Sequence, residues 1–326
     1  LKIKNMKIIN NKRDAIQELK RISNRTNSEN NNKINEIVEE ILHEVQTCGD
    51  IAVEKYTKKF DGFNPNPMQV STNELKDAWD EIDNNLKSSL KVAHERIKKF
   101  HEKEIPSSFT VVGKHGDKVQ REWRPVKSAG IYIPGGRAAY PSTVLMNAIP
   151  ATVAGVKEII MVSPGNIEGK INKTVLAAAY LSGINKVFRI GGAQAIGALA
   201  FGTKQINKVD VISGPGNIYV TTAKKIIYGT TGIDSLAGPS EILIIADETA
   251  QSTHIASDLL AQAEHDPLAS SILLTTSKEQ AKEVSEELYK KIDDHPRKKI
   301  CMQSIQNWGL IVICDDYESC IELSNN

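Results

Sequence analysis

Three observations predict an α/β protein with mostly parallel sheets behind a helical N-terminal region. Short apolar runs alternate with Ala-rich or amphipathic segments from residue 129 onward, whereas the first 125 residues show only helical periodicity. The 326 residues, 40% hydrophobic and 25% charged, are enough for about two globular domains. Strands that alternate with helices are typical of βαβ units, in which the strands pair in parallel.

The N-terminal region carries the spacing of amphipathic helices. Ile34, Val38 and Ile41 recur at helical intervals, so they share one face. The polar, Asn-rich segment 23–32 predicts a loop. We therefore expect residues 1–30 to form a separate N-terminal arm.

Seven short apolar runs predict the strands of the remaining chain. They are residues 130–134, 158–162, 186–190, 209–212, 241–246, 271–275 and 310–314. The segments between them predict helices, which parallel strands need as crossover connections. These seven strands can form either one large sheet or two smaller ones.

Composition excludes several classes of protein. The 41 Lys and Arg against 40 Asp and Glu give a net charge of +1, which argues against nucleic-acid binding. No apolar run approaches the length of about 20 residues that a membrane span needs. The four cysteines lack C-x-x-C spacing, so we expect reduced thiols and a cytoplasmic location.

Four glycine-rich turns lie beside predicted strands, although the fingerprint G-x-G-x-x-G and the P-loop are absent. They are residues 134–136, 191–194, 214–217 and 237–240. Glycines after a strand let backbone N–H groups approach an anion, but a tight turn also requires glycine. A nucleotide site is therefore expected if the first three turns meet at one sheet edge. Two amides within them, Gln194 and Asn217, could then bind ribose or a base edge, and Tyr132 precedes the first turn.

Residues 252–265 predict a helix that carries half of a possible metal site. At 100° per residue, Asp258, Gln262 and His265 fall on one face. Histidine is also favoured in the last turn of a helix by the helix dipole, so a structural role competes. Zinc takes four ligands, or three and a water, and the others would have to come from elsewhere.

Several motifs, in order along the chain, resemble those of histidinol dehydrogenases. The most specific is IDSLAGPSEILIIADETAQSTHIASDLLAQAEH at residues 233–265. The others are GIYIPGG at 130–136, YPSTVLMNAIPA at 140–151, GGAQAIGALAFGT at 191–203 and SGPGNIYV at 213–220. The resemblance extends from about residue 32 to residue 326.

The resemblance implies two incomplete Rossmann-like parallel-sheet domains. One is an inserted domain of residues 129–238 that contacts NAD. The other is discontinuous, comprises residues 31–128 and 239–326, and carries the metal and substrate site. The implied activity is oxidation of L-histidinol to L-histidine through L-histidinaldehyde by a homodimer, with two NAD and zinc (Zn2+).

The resemblance also assigns roles by position. Tyr132, Gln194 and Asn217 correspond to NAD contacts, and Ser240 corresponds to a substrate contact. Gln262 and His265 correspond to zinc ligands that also touch the substrate.

The same resemblance places the catalytic Glu-His pair just beyond Asn326, with two further zinc ligands later still. We therefore expect residues 1–326 alone to be inactive, to bind zinc weakly or not at all, and to dimerise less tightly. Two alternatives stay open. One is a non-catalytic fragment or pseudoenzyme that retains the dinucleotide-binding fold, and the other is an aldehyde dehydrogenase with a cysteine nucleophile.

Overall fold

The structure is a computed structural model that describes residues 6–26, 30–135, 140–236 and 240–325. Its strands are β1 (Lys7–Ile9), β2 (Phe109–Val112), β3 (Lys118–Arg121), β4 (Ser128–Tyr132), β5 (Glu158–Val162), β6 (Lys186–Phe188), β7 (Val211–Ser213), β8 (Gly232–Ile233), β9 (Glu241–Ala246), β10 (Ser270–Thr275) and β11 (Gly309–Ile313). Its helices are α1 (Lys12–Ser23), α2 (Asn30–Cys48), α3 (Asp50–Asp61), α4 (Thr72–Glu81), α5 (Asn84–His101), α6 (Pro141–Ala154), α7 (Lys173–Leu181), α8 (Gly192–Phe201), α9 (Ile218–Ile227), α10 (Ser252–Ala263), α11 (Lys278–Asp293), α12 (Lys298–Trp308) and α13 (Tyr317–Ser324).

The chain forms two compact units. One comprises residues 32–236, and the other comprises residues 1–31 together with 237–326. Each unit is built on its own parallel sheet. This agrees with the predicted α/β class of two incomplete Rossmann-like sheets.

The unit of residues 32–236 contains a five-stranded parallel sheet in the order β6-β5-β4-β7-β8. The chain moves from β4 to one side for β5 and β6, and then to the other side for β7 and β8. This reversal creates a topological switch point between β4 and β7. Open α/β sheets bind ligands at such points, beyond the carboxyl ends of the strands.

Helices cover both faces of this sheet. Tyr132 and Phe188 belong to a core shared with α2, α3, α8 and α9. Ile131 and Met161 belong to a core shared with α4, α5, α6 and α7. Adjacent residues of β4 thus serve opposite cores, as the pleat of a strand requires, and strands buried on both faces are apolar throughout.

The other unit contains a four-stranded parallel sheet in the order β1-β11-β10-β9. Leu273 and Ile311 share a core with α10, α11 and α12. Leu274 and Val312 share a core with α1 and α13 on the opposite face. This sheet also has helices on both sides.

The division of the chain differs from the predicted boundaries. The sequence predicts residues 31–128 to accompany 239–326, but α2 to α5 bury their apolar faces on the five-stranded sheet. The expected arm supplies β1, which pairs with β11, and α1, which packs beside it. Periodicity reveals that a helix has an apolar face, but it does not reveal which sheet that face covers.

All seven predicted strands are present, and the structure adds elements that the sequence analysis missed. The strands β2 and β3 form an antiparallel hairpin within the region predicted to be helical. The predicted loop at 23–32 is shorter, because Asn24–Thr26 form a 3-10 turn and α2 begins at Asn30; residues 27–29 lie outside the described residues. No helix in the described part of the chain is long and apolar enough to cross a membrane.

Candidate functional site

The loops after β4, β5 and β6 meet at the carboxyl edge of the five-stranded sheet. A Cβ atom on Gly135 would lie 2.4 Å from Cγ of Pro164, and one on Gly191 would lie 2.6 Å from Cβ of the same proline. Both glycines are therefore required sterically. The glycine-rich turns thus do meet at one edge; residue 136 of the first turn lies outside the described residues.

The loop after β7 completes this edge on the other side of the switch point. Gly214 has a φ of +116°, and a Cβ atom there would lie 2.2 Å from the carbonyl oxygen of Tyr132. Because Tyr132 ends β4, this loop lies directly on the end of that strand. Only glycine fits both the backbone conformation and the space.

A buried ion pair holds the Gly214 loop in place. Lys224 on α9 is 3% exposed, and its ammonium group donates to the Gly214 carbonyl at 3.1 Å and to the Asp234 carboxylate. Asp234 also accepts from the Gly214 N–H at 2.9 Å. Burial raises the pKa of Asp234, but the hydrogen bonds from Lys224 and Gly214 outweigh burial and lower it. Sequence reasoning missed this pair, since Lys224 lies on α9 and Asp234 follows β8, and periodicity relates only residues of the same element.

Tyr132 and Gln194 lie beneath the loops. The Tyr132 hydroxyl accepts a hydrogen bond from the Gly192 N–H at 3.2 Å, and burial raises the Tyr132 pKa to about 12, so its phenol is neutral. Gln194 is 1% exposed, yet neither Oε1 nor Nε2 has a hydrogen-bond partner among the described residues. Buried amides are normally paired, so this one indicates a place for a ligand or water.

Asn217 has a structural task at the same edge. Its side-chain oxygen caps α9 by accepting from the N–H groups of Tyr219 and Val220, both at 3.1 Å. Such a cap satisfies backbone donors that the helix leaves unpaired. The amide nitrogen of this exposed side chain is then the part that can reach a ligand.

Ser240, Gln262 and His265 lie at the amino edge of the four-stranded sheet. The Ser240 carbonyl accepts from Ser270 at the start of β10 at 3.1 Å. The helix α10, which leads into β10, ends at Ala263. His265 is therefore an exposed residue of the following turn, where its N–H donates to the Gln262 carbonyl at 3.2 Å. Residues 237–239 of the fourth glycine turn lie outside the described residues.

Gln262 and His265 supply two donors of the kind that zinc accepts. An imidazole is an ordinary zinc ligand, and a side-chain amide ligates a metal through its carbonyl oxygen. The Gln262 Nε2 atom is buried without a partner among the described residues, so it is available to donate a hydrogen bond to a bound ligand. The residues that the structure describes contain no group of three or more His, Cys, Asp or Glu that could hold a metal. The pair therefore fits zinc as part of a ligand set.

Arg25 links the loop after α10 to the start of β9 at this amino edge, and the sequence analysis did not identify it. Its side chain is 1% exposed. Its guanidinium donates to the Leu268 carbonyl at 2.8 Å and to the Glu241 carboxylate at 2.6 Å. Because the sequence predicts residues 1–30 to be a separate arm, no pattern pointed to this contact.

Three of the four cysteines do not provide a nucleophilic thiolate. Cys301, Cys314 and Cys320 are buried, and burial raises the pKa of each thiol. A reactive cysteine needs the opposite, a lowered pKa and solvent access. The contact of 3.5 Å between Cys301 Sγ and His295 Nδ1 is therefore a buried structural contact.

Comparison with known proteins identifies the family. The family profile described as Histidinol dehydrogenase matches residues 24–326. The chain belongs to the histidinol dehydrogenase family. It is 86% identical over 326 residues to a histidinol dehydrogenase of Prochlorococcus marinus strain MIT 9312, covering all of this chain and 74% of that protein. It is 78% identical over 320 residues to one of Prochlorococcus marinus subsp. pastoris (strain CCMP1986 / NIES-2087 / MED4), covering 98% of this chain and 75% of that protein.

A solved structure supports the same family. The crystal structure of histidinol dehydrogenase from Elizabethkingia anophelis superposes with a TM-score of 0.85 at 40% sequence identity. The match covers 89% of this chain and 67% of that chain. The Rossmann-like fold is therefore shared with a solved histidinol dehydrogenase.

Proposed function

We propose that this member of the histidinol dehydrogenase family oxidises L-histidinol to L-histidine through L-histidinaldehyde, with NAD as the hydride acceptor and zinc at the substrate site. Family membership supports the reaction. The observation that supports dinucleotide binding is the buried Gln194 amide. It has no partner among the described residues and lies at an edge where four loops converge. The hydroxyl, phosphate and carboxamide groups of NAD can supply the missing partners.

The residues of this edge have complementary tasks. The Tyr132 hydroxyl already accepts from Gly192, so its own proton is available to donate to the ligand. Gln194 offers both a donor and an acceptor from a position fixed by burial. The amide nitrogen of Asn217 offers a further donor, and backbone N–H groups of the glycine loops offer donors for the pyrophosphate.

At the amino edge of the other sheet, Gln262 and His265 would hold zinc and Ser240 would contact the substrate. Zinc supplies an electrophilic template that orients an amino alcohol bearing an imidazole. His265 is exposed in a turn and so can reach a ligand without rearranging the core. Arg25 would keep this turn and the start of β9 fixed relative to each other by its two hydrogen bonds.

The remaining expectations concern residues outside this sequence. The resemblance places the Glu-His general base and two zinc ligands beyond residue 326. Loss of the acid/base pair alone lowers a rate by about 10² to 10⁴, and loss of two zinc ligands lowers it further. A polypeptide of residues 1–326 alone should therefore bind NAD without measurable oxidation of L-histidinol. We further propose a homodimer in the cytoplasm, with weaker dimerisation for residues 1–326 alone.

Titration of residues 1–326 with NAD⁺ tests the dinucleotide site. Gln194→Leu, which keeps the volume but removes both polar atoms, should weaken NAD⁺ binding by about tenfold or more. Gln205→Leu, on an exposed loop, is the matched control and should leave binding unchanged. Equal affinity of both variants would refute the site. The reaction is tested by NADH formation from L-histidinol by the full-length protein, with two NADH expected per substrate.

A further inference from the structure

The carboxyl edge of the five-stranded sheet contains a carboxylate that neither the sequence motifs nor the resemblance assigns. Asp61 is the last residue of α3. One of its oxygens, Oδ2, is buried without a hydrogen-bond partner among the described residues. Such a residue weakens the fold unless it has another task.

The packing of two helices places Asp61 beside the site. The helices α3 and α8 pack against each other. A Cβ atom on Gly49, which precedes α3, would lie 3.9 Å from Cβ of Thr203, which follows α8. The start of α3 is therefore at the end of α8. At the other ends, the Tyr132 hydroxyl contacts Gly192 at the start of α8 and lies within the electrostatic reach of Asp61 at the end of α3, so the two helices run antiparallel. Both are about 15 to 18 Å long, and Asp61 consequently lies at the α8 amino terminus, where Gln194 is.

Two further contacts agree with this position. A Cβ atom on Gly62 would lie 3.9 Å from Ile167, and one on Gly169 would lie 2.9 Å from Phe63. The segment after α3 thus touches the loop after β5, the loop whose Pro164 lies between the glycine turns. The negative charge of Asp61 also contributes to the raised pKa of Tyr132, which requires the two side chains to be close.

We propose that Asp61 belongs to the dinucleotide site, where its carboxylate accepts hydrogen bonds from a ribose diol of the bound nucleotide. This inference rests on the proposed dinucleotide function. Of the groups in a dinucleotide, the phosphates are repelled by a carboxylate, whereas two vicinal hydroxyls donate to its two oxygens. The Gln194 amide and the neutral Tyr132 phenol complete a polar surface suited to hydroxyl groups. Asp61 is therefore a specificity-determining residue.

Asp61→Asn in residues 1–326 tests the assignment by titration with NAD⁺. Loss of a charged hydrogen-bond acceptor should weaken binding by about tenfold to a hundredfold. A carboxylate that is merely nearby would have the opposite effect, because removing it would relieve repulsion of the pyrophosphate. Asp77→Asn, an exposed aspartate on α4, makes the same charge change and should bind NAD⁺ as the wild type does.

Titrations with 5′-AMP and with nicotinamide mononucleotide identify which ribose is bound. The variant should lose affinity for one of the two. If the variant loses affinity for 5′-AMP, its preference for NAD⁺ over NADP⁺ should also become smaller. The reason is that the 2′-phosphate of NADP⁺ replaces the 2′-hydroxyl that would lie beside the Asp61 carboxylate. Circular dichroism confirms that the variant is folded.

Three results would overturn the proposal for Asp61, and only the last of them would also overturn the proposed dinucleotide function. Unchanged or tighter NAD⁺ binding by Asp61→Asn would remove Asp61 and leave the dinucleotide site intact. Weaker NAD⁺ binding with full affinity for both mononucleotides would remove the ribose contact. Failure of the wild-type residues 1–326 to bind NAD⁺ at millimolar concentration would overturn the dinucleotide function itself, and the role of Asp61 with it.

Discussion

The two parallel sheets present their candidate site residues at opposite ends and in different surroundings. At the carboxyl edge of the five-stranded sheet, Tyr132 and Gln194 are buried beneath loops whose glycines are fixed by steric contact. At the amino edge of the four-stranded sheet, Ser240 and His265 are exposed. The candidate residues at the first edge are thus held by packing, whereas those at the second edge are partly exposed to solvent.

Because of this difference, mutations at the two edges should affect stability and ligand binding differently. Where a site is built from backbone loops and buried amides, a mutation that weakens ligand binding should also lower the free energy of unfolding. A site built from exposed side chains should lose function at little cost in stability. Mutations at the two edges can therefore separate structural from functional effects.

The largest effect is expected at Gly214. Gly214→Ala places a Cβ atom 2.2 Å from the Tyr132 carbonyl oxygen at a φ of +116°, so strain and overlap add to about 3 kcal/mol of lost stability. Gly229→Ala is the matched control, since Gly229 has a φ of +101° but open space around its Cα atom; it should cost about 1 kcal/mol. Urea unfolding measures both. Similar losses in the two variants would show that the Gly214 loop does not lie on β4.

The next effect concerns the ion pair that holds that loop. Lys224→Met removes the buried ammonium group and leaves Asp234 without its partner. Breaking a buried pair costs about 3 to 5 kcal/mol, but the Asp234 side chain is 35% exposed and can regain water, so we expect about 2 kcal/mol. The exposed neighbour variant Lys225→Met should change the free energy of unfolding by less than about 0.5 kcal/mol. If adding Asp234→Asn to Lys224→Met recovers no stability, the pair is not coupled.

The sequence could predict the strands of both sheets but not how the units are assembled. Residues 158–162 and 241–246 were predicted with the bounds that the structure has, because each is a continuous apolar run after one glutamate. The three-residue strand β1 is too short to carry periodicity. The hairpin of β2 and β3 is exposed along all of its residues, so no alternation of buried and exposed positions marks it.

The candidate site divides in the same way. Gln194, in the first turn of α8, and Gly214 follow shortly after strands β6 and β7, so sequence order and parallel topology bring them to one edge. Asp61 and Arg25 reach their positions through tertiary contacts, the first through the antiparallel packing of α3 on α8. No local pattern encodes such contacts, and a resemblance that is carried by motifs does not include them.

A smaller effect, of opposite sign, is expected at Asp61. Burial raises its pKa to about 6, above the ordinary value of about 4 for an unfolded chain. The folded state therefore binds more protons between these values, and stability falls as the pH rises through this window. Asp61→Asn lacks this penalty. Allowing for partial exposure, it should be more stable by about 1 to 2 kcal/mol above pH 6 and equal to the wild type below pH 4.

Thermal unfolding at pH 4 and pH 7 measures this effect, and a gain of about 2 to 4 °C is expected at the higher pH only. Asp77→Asn should show no such pH-dependent gain. An equal gain at both pH values would mean that the carboxylate is not the destabilising group. A variant that is more stable and yet binds NAD⁺ less tightly would show that Asp61 exchanges stability for function.

The smallest effect on stability, with a large effect on function, is expected at His265. The side chain is exposed in the turn after α10, so His265→Ala should change the free energy of unfolding by less than about 0.5 kcal/mol. If His265 is a zinc ligand, the same variant of the full-length protein should lose zinc, measured by elemental analysis, and His254→Ala on the exposed face of α10 should retain it. Zinc retained by His265→Ala would place the metal elsewhere. Zinc lost together with stability would mean instead that the turn is structural, and the contrast between the two edges would then disappear.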